Sequence, residues 1–202
     1  EKSMIDVKDR GIDHLVHFTN INNIDNIMRH GLLNTQDLKE QNIPFIFTDE
    51  YKLDGRHGLS LSVQFPNYKM FYSKTNKSPQ NDMVVLLLDP ELINEKKCLY
   101  FYDNAATTEL KNMSSSDLMT DIAWEKMFSD KVDGILRSEL NIPNSFTTNP
   151  QAEVICLEPI EPKYIKKIIC KSDDQFGRVS NYLDIVGKNE HYFNARKDYT
   201  FW

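Results

Sequence analysis

Cysteine is scarce in this chain. Cys98, Cys156 and Cys170 are the only three among 202 residues, an odd number that never falls at C-x-x-C spacing. This argues against a disulfide framework and a structural zinc site, and it fits a reducing cytosol. Long apolar runs are also missing. None approaches the roughly 20 residues of a membrane span, and no signal-peptide core follows Glu1-Lys2-Ser3-Met4. The expectation is a cytoplasmic protein with no membrane partner. Positive charge is in deficit, with 24 Lys and Arg against 30 Asp and Glu, a net charge of −6. Broad non-specific binding to duplex DNA needs a basic face and is excluded. A local basic channel is not, and Lys163, Lys166, Lys167 and Lys171 cluster, as do Lys69, Lys74 and Lys77. On charge pattern alone each cluster reads first as a solvated face. No G-x-G-x-x-G, G-x-x-x-x-G-K-[ST] or G-x-S-x-G occurs, so Rossmann, P-loop and hydrolase-elbow readings fall away.

What is present centres on Pro150-Gln151-Ala152-Glu153-Val154-Ile155-Cys156-Leu157. Four apolar residues follow Glu153 without a break, between Pro150 and Pro159. Such a run predicts a strand buried on both faces. A carboxylate at its mouth is costly unless something pairs with it or uses it, so Glu153 is the catalytic candidate.

The remainder reads as one domain over residues 1–202, long enough for a full core. Residues 12–19 predict a first strand. Thr19 or Asn20 then caps a helix with Ile21, Ile24, Ile27, Met28 and Leu32 at helical spacing, closed by Gly31. His17 and Thr19 lie at that junction, where backbone N–H groups are free to meet an anion. His14 and His17, three apart on a strand, face opposite sides and cannot share a metal ion, and no metal is expected. Residues 35–58 form a long polar connection carrying Arg56 between Gly55 and Gly58, where a guanidinium could approach a phosphate closely. Residues 59–65 alternate strictly, predicting a half-buried strand. Tyr68, Phe71 and Tyr72 interleave with lysines, a pattern that suits stacking on a base or nicotinamide and equally suits a core helix. Residues 83–88 and 98–102 predict further strands. Ser114 to Asp117 resembles a capping box opening a helix through Phe128. A polar loop, 138–150, delivers the chain to Glu153. Residues 164–170 predict another strand, and the aromatic tail is expected to pack back. Strands do not alternate regularly with helices, so the class is α+β.

Four segments resemble the DarT family of toxin ADP-ribosyltransferases, which modify bases in single-stranded DNA. His17-Phe18-Thr19 with the helix to Gly31-Leu32 is similar to that family's opening. Val63 to Tyr72 is similar to its aromatic strand and following turn. Tyr100-Phe101-Tyr102-Asp103-Asn104-Ala105-Ala106 matches a third block, and Gln151-Ala152-Glu153-Val154 matches its catalytic strand. Asn67-Tyr68-Lys69 departs from the Arg-Ser-Pro of the family, and the loop around Arg56 is not a close match.

The resemblance implies an ADP-ribosyltransferase fold, two small packed sheets flanked by helices with NAD+ as co-substrate in the cleft between them. His17, Thr19 and Asn26, with Asn23 in reserve, would hold the dinucleotide. Tyr72 would stack near the nicotinamide, Glu153 would stabilise the ribose cation, and Arg56 would clamp pyrophosphate or base. The acceptor would be thymine, or guanine in a divergent branch, of single-stranded DNA. A DarG-like macrodomain antitoxin, a toxin and phage-defence role and a monomeric state are implied in the same way. The rival readings are a protein-directed ADP-ribosyltransferase or NAD glycohydrolase, a non-catalytic nucleic-acid-binding module, and a structural domain in which Glu153 only pairs with a lysine.

Overall fold

Strand β1, Leu15–Asn20, runs through the middle of a seven-stranded sheet. The computed structural model describes residues 4–47, 57–67, 82–189 and 192–193. Across the sheet the strands lie in the order β4-β7-β2-β1-β3-β8-β9. These are β2 Leu59–Val63, β3 Met83–Leu88, β4 Cys98–Phe101, β7 Glu153–Cys156, β8 Ile165–Cys170 and β9 Val186–Lys188. All neighbours are antiparallel except β8 and β9. A separate hairpin pairs β5 Lys131–Val132 with β6 Ile135–Leu136. Its turn, Asp133-Gly134, has φ of 44° and 78°, the doubly left-handed geometry that suits the twist of a two-residue hairpin.

The expected pair of small sheets takes a particular form. β1 pairs with β3 over six residues, Leu15 to Asn20, but with β2 only at Leu15–Val63 and Val16–Ser62. One half-sheet, β1-β3-β8-β9, therefore meets the other, β4-β7-β2, at two residue pairs. Beyond Val16 they part.

Because directly opposed residues share a face, the register assigns every strand residue to a side. Leu15, Leu61, Leu86, Cys98, Tyr100, Val154 and Ile168 line one side, the main core. Trp124 packs edge-on to Tyr100 there, ring centres 5.3 Å apart. The other side carries two separate apolar groups. Val16, Val85, Leu87 and Ile169 form one, covered by Tyr192 and Phe193, so the start of the aromatic tail packs back as expected. Leu99, Phe101 and Ile155 form the other, covered by Leu110 and Leu118.

Several elements depart from the sequence expectation. Within the long polar connection, α2 spans Thr35–Glu40, capped by the Asn34 side chain, with Leu38 its one buried residue. A single apolar contact leaves no periodicity to read. The capping box at Ser114 is present, Oγ accepting from the Asp117 N–H at 3.2 Å. It opens a short helix, Ser115–Leu118, and Thr120 caps a second, Asp121–Lys126. The first helix behaves as predicted: Ile24–His30 is α1, with Asn20 capping the preceding turn and Gly31 closing the end.

Gly31 is required twice over. Its φ is +82°, and an added Cβ would run into the carbonyl of Ile160, which pairs with Leu32 in an isolated bridge. Gly31→Ala is expected to lower stability by about 2–3 kcal/mol, from strain at a glycine-only conformation, read as a fall in the urea midpoint without a change in slope.

Candidate active site

Between the two apolar groups on the second side runs a polar strip. Ser60 and Ser62 of β2 and Glu153 of β7 fall on it by register, since Ser60 opposes Ile155 and Glu153 opposes Phe101. Ser60 is exposed although its strand is flanked on both sides. An exposed residue on an inner strand marks an opening over the sheet. Ser62 is 8% exposed and Glu153 7%. The Ser62 hydroxyl accepts from the Asn67 N–H at 3.1 Å.

The opening follows from the parting of the half-sheets. Past Val16 no backbone ladder joins β1 to β2, and the carbonyl of Ser60 needs another donor. His17 supplies it, with Nδ1 donating to that oxygen at 2.9 Å. The imidazole thus stands where the ladder stops, holding the halves at a fixed separation.

Thr19 is 2% exposed, and its hydroxyl accepts from Asn23 Nδ2 at 3.1 Å. The same Asn23 amide donates to the Ile46 carbonyl and accepts from the Ile46 N–H, each at 2.8 Å. Asn26 donates from Nδ2 to the Pro44 carbonyl at 2.8 Å. Two carboxamides of adjacent helical turns therefore pin residues 44–46 against the C-terminal end of β1. Thr19, Asn23 and Asn26 come together around this segment; His17 stands at the split, and by register His17 and Thr19 share the main-core side while Glu153 lies on the strip of the other side. Arg56 and Tyr72 lie outside the described residues, as do Lys69, Lys74 and Lys77.

Sequence reasoning passed over Ser60 and Ser62. The strict alternation of residues 59–65 put them on the polar side of a half-buried strand, but could not place that strand beside Glu153. Gly58 also gains a different reason from the one its proximity to Arg56 suggested. A Cβ there would strike Ile155 Cγ2 and sit 2.9 Å from the Cys156 carbonyl, so the bare backbone lets β2 close on β7. Of the second lysine cluster, Lys166 lies 3.7 Å from Asp89 and Lys163 stands 5.1 Å over the Tyr164 ring, the solvated-face arrangement.

The far end of β2 is set by an unusual turn. Gln64 has φ of +63°, outside the range most side chains adopt. Its N–H donates to the His14 carbonyl at 3.0 Å, and its own carbonyl accepts from His14 Nε2 at 2.9 Å. Tyr192 Oη lies 3.1 Å from the same nitrogen. Burial holds the His14 imidazole below its usual 6.5, against the opposing pull of the Gln64 carbonyl and Asp13.

A family model described as ssDNA thymidine ADP-ribosyltransferase, DarT, matches residues 16–201. Comparison with curated proteins finds no match. Among solved structures, Thermosipho africanus DarTG in complex with ADP-ribose superposes with a TM-score of 0.60 at 14% identity, over 92% of this chain and 52% of that one. The present chain thus spans about half of the DarTG chain. Thermus sp. 2.9 DarT in complex with NAD+ gives 0.55 at 15% identity, over 90% and 98% of the two chains. The same protein in complex with ADP-ribosylated ssDNA gives 0.55 at 14%, over 95% and 99%. These likenesses establish an ADP-ribosyltransferase-like fold.

The His14 contact has a pH signature. With the folded value below the unfolded one, the unfolded chain takes up the proton first as pH falls. The stability contributed by neutral His14 is present above about 6.5 and is lost on acidification below it. The thermal midpoint is expected to drop between pH 7.5 and pH 5, and His14→Gln is expected to flatten that drop.

Proposed function

Because the chain belongs to the DarT family of ssDNA thymidine ADP-ribosyltransferases, we propose that it moves ADP-ribose from NAD+ onto a base of single-stranded DNA, with Glu153 as the catalytic carboxylate. One observation supports this assignment above the others. A buried carboxylate opens an inner strand, on the same side of the sheet as the one exposed serine of the neighbouring strand.

Cleavage of the bond between the ribose C1′ and nicotinamide leaves positive charge on the sugar. Glu153, hydrogen-bonded to the ribose 2′-OH, stabilises that charge as a carboxylate does at a glycosidase site. The β4 and β2 ladders on either side of β7 fix its position without a flexible loop. Glu153 then accepts the proton released by the attacking base nitrogen. NAD+ lies along the split. His17 faces the dinucleotide from the end of the shared ladder, and Thr19 and Asn26 shape its wall through residues 44–46. Asn23 belongs beside them. Arg56 supplies a permanent planar cation for the pyrophosphate or the incoming base, and Tyr72 stacks on the nicotinamide side. Single-stranded DNA avoids the few kcal/mol needed to unstack a base from a duplex.

Thymidine, the acceptor in the family's description, is the favoured base. The likeness to DarTG fits pairing with a DarG-like macrodomain antitoxin, and so a toxin that such a partner restrains. We place it as a single-domain cytoplasmic monomer. No helix among the described residues is long and apolar enough to cross a membrane.

Incubating the protein with NAD+ and a mixed-sequence single-stranded oligonucleotide should add one ADP-ribose to the DNA, read by mass spectrometry. Modification only of lysate proteins, or NAD+ consumption with no acceptor, would replace this reading with a protein-directed transferase or a glycohydrolase. Glu153→Ala is expected to cut transfer by about 10²–10³-fold while the protein stays folded and binds NAD+. Arg56→Ala is expected to reduce transfer by about 100-fold or more, the cost of one lost charge-stabilising group. A loss of only a few-fold would move that role to another basic residue.

A further inference from the structure

The chain reaches Glu153 through residues 138–150, and this connection is built around one guanidinium. Arg137 starts a 3₁₀ turn, Arg137–Glu139, directly after β6. Its Nη1 donates to the Phe146 carbonyl at 2.7 Å and to Thr148 Oγ1 at 3.2 Å. Its Nη2 donates to the carbonyls of Pro143 at 3.0 Å and Asn144 at 3.4 Å. These four acceptors are neutral oxygens of one short segment. A planar fork with fixed N–H directions can span carbonyls three residues apart, whereas a lysine ammonium is a single point.

The segment divides at this clamp. Residues 145–150 are buried, while Asn141, Pro143 and Asn144 are exposed. The buried part is secured independently: Thr148 donates from N to the Met127 carbonyl at 3.0 Å and from Oγ1 to the Ser129 carbonyl at 2.6 Å. Phe146 stacks on Phe65, just beyond β2, with centroids 5.9 Å apart. Glu153 itself is held by its β7 ladder. At the exposed tip the two Arg137 bonds to Pro143 and Asn144 are joined by one donor from Arg10 to the Asn144 carbonyl at 3.3 Å, by the Phe146 N–H to the Pro143 carbonyl at 3.1 Å, and by Ile142 packed on the Phe65–Phe146 pair. That tip presents two carboxamides, each with donor and acceptor groups for a nucleobase edge, immediately upstream of the catalytic strand.

We infer that Arg137 is a positioning residue for the DNA acceptor: it sets the tip 141–144 that orients the incoming base, while the NAD+ side of the site is held without it. This rests on the proposed function. Lost positioning of a reacting group is expected to lower transfer by about 10²-fold.

The test compares wild type with Arg137→Lys and Arg137→Ala. Three measurements are made: NAD+ affinity by calorimetry, KM and kcat for a single-stranded oligonucleotide, and amide hydrogen exchange. Both variants are expected to bind NAD+ within threefold of wild type, with a raised oligonucleotide KM and transfer down by one to two orders of magnitude. Exchange should quicken across 141–144 while residues 147–150 and β7 stay protected. Lysine, retaining the charge, should not rescue, and it carries the test if the alanine variant does not fold. Unchanged oligonucleotide KM, equal loss of NAD+ affinity, rescue by lysine or unaltered exchange at 141–144 would each overturn the inference. A wild type that modifies no oligonucleotide, with the exchange result as expected, would instead overturn the proposed acceptor and leave the clamp standing.

Discussion

The ladder between β1 and β2 ends after two residue pairs, and the site follows from that early end. A sheet that stayed zipped would give the Ser60 carbonyl a backbone partner in β1 and leave no split between the halves. A sheet that separated fully would cost β1 its partner and expose Leu15 and Val16, which are 0% and 1% exposed. At the point of parting the Ser60 carbonyl loses its ladder partner in β1, and a side-chain donor takes that place. His17 is that donor. One ring nitrogen closes the end of the ladder, and the ring stands where the half-sheets part.

The same economy appears around Glu153. A carboxylate can be buried at a strand end only if the strand is fixed more strongly than the charge disfavours it. Here β7 has β4 on one side and β2 on the other, and Gly58 lets β2 approach without interference. The main core behind it, with Tyr100, Val154 and Leu61, contributes the apolar burial that such rigidity requires.

Much of this was readable in the residues. Four apolar positions after Glu153 can be satisfied only by burial on both faces, and that is how β7 lies. The Ile spacing and Gly31 fixed α1 because period and terminator agree. The motif blocks carried the family. Other features were illegible for definite reasons. Ser60 and Ser62 look like any solvent-facing alternation until β7 is placed alongside. Asn23 and Asn26 sit on one helix face, and only the fold reveals that both carboxamides hold residues 44–46. α2 rests on Leu38 alone. Arg137 sits in a stretch with no motif, and its significance lies in carbonyl groups six to nine residues away, which a sequence does not display.

Strand order also bears on when the activity arises. A chain made from its N-terminus delivers β1, β2 and β3 before β7 and β8, and domains complete only as their last partners emerge. β7 begins at residue 153, and β8 follows at 165. Until then β2 has a free edge where β7 belongs, and the serine strip has no acid beside it. The pairing that sets Glu153 beside the serine strip is thus a late one in this order of strands, and the proposed site cannot assemble before β7 is made.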